Sequence, residues 1–517
     1  MRRTVGLLLG LQIIGWAAYF GVRATNFGGI DEWPVIDLAC KGIVSFPYAN
    51  RMLSLLWVLP ACWIAPPSLE GYRLLSGAYI SLSGMLTFWL CRRLCPGYSM
   101  LPFLAGAFAM LWAPADLMRL STIQGTVHLG FAFGSILAIT LLVESWARRR
   151  PGLMALALVA ALATVLSYEA VLPLLGLAPL LLPWRTRECR PWGVAWTAVI
   201  LRGAALTLVP GSGHSHEYQA YLGTDLRPSW IGVRLLTQFW LHLAPLFAGF
   251  PSPAPTAAIP VLIVLLAVCL SPSDPEEPAF PLRLLATGLI GAAMAYAPYI
   301  LTPGVMGATR TQILSAPWIA MLLASFIELL THRLGRAQRF ALALAGMWIV
   351  FLGASHTSRM QDIWDRVGKF PAQRSSLLQL VAQVPDVKPH TMILLVGETR
   401  IAWPLTFGFR HAVAYLYEDR AVGTVAGTDD RPYPLVFGTA GITVTPWPEI
   451  REPWRQPVSV YGYDEVIVAS ISPTGRVDIL TDWPGNPVPS LPDTAAYTPF
   501  SRIVRGGEGI AARALLR

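Results

Sequence analysis

The chain has 517 residues, of which 54% are hydrophobic and 13% are charged, and its mean hydropathy is +0.51. A soluble protein carries about 25% charged residues. One packed core cannot hide this much apolar side chain, so the bilayer must be the solvent, which excludes a soluble enzyme, a disordered regulator and a disulfide-rich secreted domain.

The positive charge of the chain is confined to its first part. Residues 356–517 contain 16 basic and 16 acidic side chains, so the formal charge of +9 belongs to residues 1–355. Arginine in excess beside apolar segments is typical of membrane proteins, in which it sets the orientation. The sequence has no glycine-rich phosphate loop, zinc-type cysteine pairing or aromatic RNA motif. The charge therefore predicts membrane topology and no nucleic-acid partner.

Eleven apolar segments are candidates for membrane-spanning helices, which need about 20 apolar residues. The first begins after Met-Arg-Arg and has no small-residue cleavage site, which predicts an uncleaved anchor. The predicted spans are 4–22, 72–91, 99–114, 126–146, 152–167, 170–183, 192–209, 257–271, 284–301, 311–331 and 338–355. We therefore predict an α-helical polytopic membrane protein with about 11 transmembrane helices in residues 1–355.

The arginines between the predicted spans indicate the orientation. With a cytoplasmic N-terminus, four basic loops lie inside, and they contain Arg92 and Arg93, Arg148 to Arg150, Arg185, Arg187 and Arg190, and Arg333 and Arg336. The apolar segment 231–250 is then predicted to be an interfacial or re-entrant helix on the outer side. The 36 arginines against 3 lysines indicate a GC-rich bacterial genome. We predict a bacterial inner-membrane protein whose C-terminus is periplasmic.

Residues 356–517 predict a soluble α/β domain on the outer face. An amphipathic helix is predicted at 372–384, and the predicted strands are 391–397, 411–417, 464–470 and 476–480. All six cysteines lie before this domain, so disulfides do not organise it. Cys40 and Cys62 could meet across an outer loop, although the sequence does not decide this pairing. From its position, the domain is predicted to help bind the acceptor.

The loop after the first predicted span is rich in carboxylates. Residues 27–51 place Asp31, Glu32 and Asp37 outside, close to the membrane surface, and the segment after Arg51 predicts an interfacial helix. A carboxylate at a membrane rim is costly unless it is solvated or used. The loop is therefore a candidate catalytic segment, with ordinary solvated acids as the alternative.

This arrangement resembles the GT-C superfamily of integral-membrane glycosyltransferases, which have an acidic pair in the first outer loop. LSYEAVLPLL (166–175) is similar to their short outer turn with a glutamate, and Arg310 in 301–314 resembles their outer-loop arginine before a span. The resemblance covers the whole architecture. It implies a membrane-embedded cavity where a polyprenyl-phosphate-linked sugar donor meets a glycan, lipid or protein acceptor at the outer face.

Inverting sugar transfer needs a carboxylate that takes the proton of the attacking hydroxyl, and cations that stabilise the leaving phosphate. Asp31 is the predicted base, Glu32 is the second choice and Asp37 the third. Because Asp31 and Glu32 are adjacent, only one of them is expected to serve. The arginines predicted to bind the phosphate are Arg51, Arg310 and Arg234. A lipid-headgroup contact is the alternative for each of them.

Several more side chains are predicted to contact the substrates. They are Trp33, Asp37, Tyr168, Glu169, Gln124 and His128. Trp33 is the predicted sugar-stacking ring, with an interface anchor as its alternative. A packed position is the alternative for His128, and a solvated turn is the alternative for Glu169. Asp116 and Arg119 are predicted to line the same vestibule.

The sequence has one metal-like cluster, HSHEY, in which His214, His216 and Glu217 could hold a divalent ion. A donor with a single phosphate needs no metal, because arginine can hold its leaving group. We therefore predict that no cofactor is required and keep a divalent metal as the alternative for a pyrophosphate donor.

Two other classes of function are considered beside the glycosyltransferase. One is a transporter or flippase of lipid-linked glycans, and the other is a ligase that uses a pyrophosphate-linked donor. Transporters usually have intramembrane charges and paired, broken helices. Here the predicted spans are almost free of charge at mid-depth, and the ionisable residues gather at the outer rim. This distribution favours chemistry at the outer face.

Overall fold

The structure is a computed structural model. It describes residues 2–17, 26–27, 32–45, 51–64, 68–98, 100–114, 116–182, 189–208, 227–247, 258–270, 281–300, 311–404, 406–427, 434–445, 458–486, 488–506 and 511–516. The α-helices in these residues are α1 (Arg2–Trp16), α2 (Glu32–Cys40), α3 (Leu59–Ile64), α4 (Glu70–Leu94), α5 (Met100–Leu111), α6 (Gln124–Arg148), α7 (Pro151–Ser167), α8 (Leu172–Leu177), α9 (Arg190–Leu208), α10 (Pro228–Leu243), α11 (Ala258–Leu270), α12 (Leu282–Ile300), α13 (Gln312–Thr331), α14 (Gln338–Val367), α15 (Phe370–Gln383) and α16 (Thr406–Leu416).

The first part of the chain is a bundle of apolar helices. Within the described residues, α4, α6, α13 and α14 are the helices that are long enough and apolar enough to cross a membrane, and α1, α5 and α7 are apolar but shorter. A helix lies in every predicted span, whereas the total of about eleven crossings stays a prediction. The helices pack tightly: a Cβ atom on Gly84 of α4 would lie 2.9 Å from the carbonyl oxygen of Gly106 in α5.

The segment that we predicted to be an interfacial helix forms α10. Polar side chains of this helix are buried, and apolar side chains are exposed. Gln238 and His242 are buried, whereas Val233, Leu236 and Trp240 are more than half exposed. The imidazole Nδ1 of His242 lies 2.6 Å from the hydroxyl of Tyr296 in α12. A helix that turns its polar side inward and its apolar side outward fits a lipid environment.

The C-terminal residues form the predicted α/β domain. The strands are β1 (Asp386–Val387), β2 (Thr391–Gly397), β3 (Ala421–Val425), β4 (Leu435–Phe437), β5 (Ile442–Val444), β6 (Ser459–Tyr461), β7 (Val466–Ile471), β8 (Val477–Ile479) and β9 (Ile503–Val504). The main sheet has the order β3-β2-β7-β8, with β2 parallel to both neighbours and β8 antiparallel to β7. The strands β4, β5 and β6 form an antiparallel sheet, and β1 pairs with β9.

One predicted strand is wrong. Residues 411–417 lie mostly in helix α16, which ends at Leu416. The whole run is buried, so no alternation of polar and apolar residues was present to distinguish a strand from a buried helix. The helix connects β2 to β3, and parallel strands need such a crossover. The predicted strands at 391–397, 464–470 and 476–480 are confirmed within two residues.

The change of composition at residue 356 falls inside a helix. The helix α14 continues from the apolar region to Val367, and the domain proper follows with α15. Trp364 in the last turns of α14 donates its indole N–H to the carbonyl oxygen of Leu117, 2.8 Å away. The two regions are therefore joined by a continuous helix and by side-chain contacts.

Cys40 and Cys62 form a disulfide, with their Cα atoms 5.4 Å apart. The sequence had left this pairing open. The bond links the end of α2 to α3. The cysteines described as free thiols are Cys91, Cys95 and Cys189, and all three are buried.

Candidate active site

The candidate site lies at the end of the helical region that contacts the C-terminal domain. We call this end the domain end. It is formed by α2, the start of α6, the end of α7 and the start of α13, and the opposite end is called the far end. We describe the predicted site residues from α2 onward.

Glu32 begins α2 and is fully buried. Its Oε1 atom accepts hydrogen bonds from the Ser121 hydroxyl at 2.5 Å and from the amide of Ile123 at 3.3 Å. Ile123 directly precedes α6, so the carboxylate satisfies an amide at the start of that helix. Glu32 therefore ties the first loop to α6. Asp31, the predicted base, lies outside the described residues.

Arg51 and Glu169 form a two-point ion pair. The Nε and Nη2 atoms of Arg51 lie 2.8 and 2.6 Å from the two carboxylate oxygens of Glu169. The guanidinium carbon is also 4.3 Å from the centre of the Tyr168 ring. About a fifth of the Arg51 side chain and three tenths of the Glu169 side chain are exposed. Three residues that were predicted from two separate segments thus meet in one partly exposed cluster.

The local chain path explains why Arg51 lies there. Trp57 donates its indole N–H to the Ser167 hydroxyl at 3.0 Å, and the same hydroxyl donates to the carbonyl oxygen of Leu53. A Cβ atom on Gly130 of α6 would lie 2.3 Å from the Cβ of Trp57, so glycine is required for this close approach. The segment after Arg51 is thereby fixed against α6 and the end of α7.

His128 lies one turn into α6 and belongs to the same cluster. Its ring is 6.0 Å from the Tyr168 ring, and Phe131 stacks on Tyr168 at 4.3 Å. The histidine therefore supports the ring on which Arg51 lies. For Gln124 only the backbone is described, and its predicted substrate contact stays a prediction. The first turns of α6 connect the Glu32 anchor with the Arg51 cluster.

Asp116 and Arg119 are buried rather than placed along an open vestibule. The Oδ2 atom of Asp116 accepts hydrogen bonds from the amides of Gln312 and Ile313 at 3.0 and 2.9 Å, at the start of α13. Burial raises the pKa of Asp116 to about 7, although these amides and Arg119 act in the opposite direction. Asp116 therefore anchors the segment that follows Arg310, which itself lies outside the described residues.

Arg234, the third predicted phosphate ligand, is on α10. Its Nη1 atom donates to the carbonyl oxygen of Ile300 at 3.0 Å, and its guanidinium lies 5.8 Å from the centre of the Trp230 ring. Arg234 thus fastens α10 to the end of α12. No contact between Arg234 and the Arg51 cluster is present in the described residues, so the shared phosphate site of these arginines stays a prediction.

Trp33 is fully buried, which contradicts its predicted role as an open sugar-stacking platform. Its indole donates to the side-chain oxygen of Gln373 at 2.9 Å. The ring lies 4.8 Å from Phe27 and 6.2 Å from Trp403. A stacking platform needs a free face, whereas this ring fills the contact between the first loop and the C-terminal domain.

Asp37 belongs to the same contact. Its Oδ2 atom is 2.7 Å from the Nδ1 of His411 in α16, and its Oδ1 atom is 2.6 Å from the Nζ of Lys41. The same Nζ is 2.6 Å from Asp419. We call these four residues the loop clasp. Burial raises the pKa of Asp37, but His411 and Lys41 outweigh it and hold that pKa below its ordinary value.

The sequence reasoning did not single out Lys41, His411, Asp419 and Gln373. The spacing of Asp37 in α2 and Lys41 just after its end, four residues apart, was the one local signal. Gln373 and His411 lie more than 300 residues after their partners Trp33 and Asp37, so no sequence pattern could have joined these pairs.

The predicted metal cluster of His214, His216 and Glu217 lies outside the described residues. Within the part of the chain that the structure describes, no group of three or more histidine, cysteine, aspartate or glutamate side chains could hold a metal ion.

No family model and no curated protein matches the chain. Two crystal structures of ArnT from Cupriavidus metallidurans are similar to it, each at 15% identity. The structure bound to undecaprenyl phosphate has a TM-score of 0.39, over 81% of this chain and 89% of that chain. The apo structure has a TM-score of 0.36, over 82% of this chain and 86% of that chain.

A likeness at such low TM-scores carries no argument about how this chain works. Its function has to be inferred from its own residues.

Proposed function

We propose that this chain is an inverting glycosyltransferase that moves a sugar from a polyprenyl-phosphate donor to a glycan, lipid or protein acceptor outside the cytoplasmic membrane. The observation that carries the proposal is the Arg51 cluster. Its partly exposed guanidinium is held by Glu169 and Tyr168, and the Tyr168 ring packs on Phe131 of α6, the helix to whose start Glu32 fastens the acidic loop. The first turns of α6 thus bring together the loop that contains the base and a cation for phosphate.

The proposed reaction is a direct displacement. The acceptor hydroxyl oxygen attacks the anomeric carbon, the bond from that carbon to the phosphate oxygen breaks, and the hydroxyl proton passes to Asp31. The electron pair of the broken bond remains on the phosphate, where the positive charge of the Arg51 guanidinium stabilises the growing negative charge. Arg310 and Arg234 are the further candidates for this role. Glu169 orients Arg51.

We propose that the domain end faces the periplasm and that the N-terminus is cytoplasmic. The disulfide lies at the domain end, whereas the free thiols Cys91, Cys95 and Cys189 lie toward the far end. Disulfides persist in oxidising compartments such as the periplasm, and the cytosol keeps thiols reduced. The arginines of the far-end loops support the same orientation. A multi-pass protein of the bacterial inner membrane accounts for both observations.

The proposal is tested by the release of polyprenyl phosphate from a panel of short-chain polyprenyl-phosphate sugars by the purified full-length protein. Asp31→Asn should lower the rate by about 10²–10⁴-fold, because it removes the general base. Arg51→Lys keeps the charge but loses the fork, and it should lower the rate without unfolding the protein. The matched control is Asp493→Asn, which changes an exposed aspartate of the C-terminal domain.

Each outcome has a defined meaning. Release by the wild type and by Asp31→Asn at equal rates would move the base to another carboxylate. No release from any donor by the folded protein would refute the monophosphate donor and favour a pyrophosphate-linked one. Movement of an intact lipid-linked glycan between leaflets, without bond cleavage, would favour a flippase. A loss of activity on treatment with a chelator would support the metal at His214, His216 and Glu217.

A further inference from the structure

A cavity lies at the far end, opposite the candidate active site. It has a volume of about 610 Å³ and is bounded by the ends of α4 and α6, the segment around Leu181 and the start of α12. None of the residues assigned to sugar transfer lines it. A cavity of this size accommodates a small headgroup, and its position at the end of the helices corresponds to the level of the membrane interface.

The wall of this cavity is strongly basic. Four arginines line it: Arg92, Arg93, Arg148 and Arg283. Glu144 accepts hydrogen bonds from the Nε and Nη2 of Arg93 and from the Nε of Arg148, the last at 2.7 Å. None of the described residues that line the cavity is acidic. Among the described residues, the charge of the four guanidiniums is therefore opposed by the single carboxylate of Glu144, which contacts Arg93 and Arg148. The balance leaves about three positive charges around one concave site.

The rest of the wall is apolar and aromatic. Leu94, Val143 and Leu182 contribute hydrocarbon, and Trp89 and Trp146 lie beside the arginines. Trp89 donates its indole N–H to Glu144 at 2.5 Å, which fixes this ring in the wall. Tryptophan is enriched where a membrane meets water. A site that is basic on one side and apolar on the other fits an amphiphile better than a free ion.

We propose that the far-end cavity binds the phosphate group of an anionic phospholipid. Arginine forks bind phosphate oxygens in pairs, and basic pockets between helices on the cytoplasmic side of a membrane bind acidic headgroups. Glu144 holds Arg93 and Arg148 in place before the lipid arrives. Arg283, whose Nη2 donates to the Leu181 carbonyl oxygen at 2.7 Å, is held on the opposite element. The site goes beyond sugar transfer, since it needs no donor or acceptor.

The test measures lipid retention by the full-length protein in detergent with native mass spectrometry. Phosphatidylglycerol is added in one arm, phosphatidylcholine in a second, and inorganic phosphate competes with phosphatidylglycerol in a third. The double variant Arg92→Gln/Arg283→Gln should weaken phosphatidylglycerol binding by about tenfold or more, because charge-assisted contacts to phosphate are lost. Arg283→Lys, which keeps the charge, should weaken it less.

The control is Arg333→Gln/Arg339→Gln, which removes two exposed arginines at the same end without altering the cavity wall. It should bind phosphatidylglycerol within about twofold of the wild type, as expected for exposed charges in water. Equal loss of phosphatidylglycerol binding in both double variants would refute the site and indicate a diffuse attraction of the lipid to the basic surface. Equal retention of both lipids would refute headgroup recognition, and displacement by inorganic phosphate would show a free-phosphate site instead.

Discussion

The loop clasp offers a direct measure of how firmly the C-terminal domain holds the first loop. We consider the substitution Asp37→Asn, which keeps the shape of the side chain and removes its charge. The carboxylate is 2% exposed and contacts His411 and Lys41 at 2.7 and 2.6 Å. The substitution leaves the Lys41 ammonium with Asp419 alone. It also removes the carboxylate that faces the buried His411 ring.

The expected cost follows from burial. Removing one partner of a buried ion pair costs about 3–5 kcal/mol when the remaining charge loses its compensation, whereas Lys41 keeps Asp419 at 2.6 Å. Each 1.4 kcal/mol is a tenfold change in an equilibrium constant, so the contact between α2 and α16 should open at least about a hundredfold more often. Lys41 is 32% exposed and can turn toward water, which places the expected value at the lower end of the range.

Hydrogen exchange followed by mass spectrometry measures this opening on peptides that cover α2 and α16. Asp37→Asn should accelerate exchange in both peptides and leave α13 unchanged. The matched control is Asp478→Asn, which breaks the ion pair between Asp478 and Arg476. These two side chains are 47% and 73% exposed, respectively. Such exposed pairs contribute about 0–1 kcal/mol. Equal effects of the two substitutions, or no acceleration in α16, would refute the clasp.

Two further predictions concern anchors of the domain end. Burial raises the pKa of Asp116 from the ordinary 3.8 to about 7, so the folded chain binds the Asp116 proton more tightly than the unfolded chain does. The contribution of the protonated Asp116 to the stability of the fold should therefore be complete below about pH 4. It should be lost as the pH rises through 7. Thermal unfolding in detergent across this range should show the decline in the wild type, and a slope that Asp116→Asn leaves unchanged would contradict it. The disulfide closes a loop across a separation of 22 residues, so Cys40→Ser/Cys62→Ser should lose about 3 kcal/mol of stability. In the denatured wild type, labelling of Cys40 and Cys62 should require a reductant first, whereas the free thiols Cys91, Cys95 and Cys189 should label without one, and labelling of Cys40 or Cys62 without a reductant would refute the bond.

The sequence predicted the parts of this protein that follow local rules. The spans appear as helices because a long apolar run in lipid must satisfy its own backbone hydrogen bonds. The strand 391–397 appears because a short apolar run is bounded by turn residues. The segment 411–417 was misassigned for the complementary reason: a run buried on every side carries no periodicity. In that case the crossover between parallel strands decides the structure, and the crossover is a tertiary constraint.

The candidate site also has features that the sequence could predict and features that it could not. The types of residue were predictable, because phosphate and sugar chemistry requires arginine and carboxylate near the membrane surface. Arg51 and Glu169 were selected separately, and the structure places them in contact. Trp33 was misassigned because a tryptophan beside an acidic pair has the same sequence signature in an open site and in a packed contact. Only the position of Gln373, 340 residues later in the chain, distinguishes the two.

The contacts of the first loop also assign a task to the C-terminal domain that its sequence did not reveal. Glu32 fixes the loop to α6 on one side, and Trp33 and the loop clasp fix it to the domain on the other. A base that is misplaced by about 1 Å can lose about 10²-fold in rate, so the loop that contains the proposed base must be held in position. Residues adjacent to Asp31 in the chain provide this restraint. The domain therefore acts on the proposed chemistry through the loop, whether or not it also binds the acceptor.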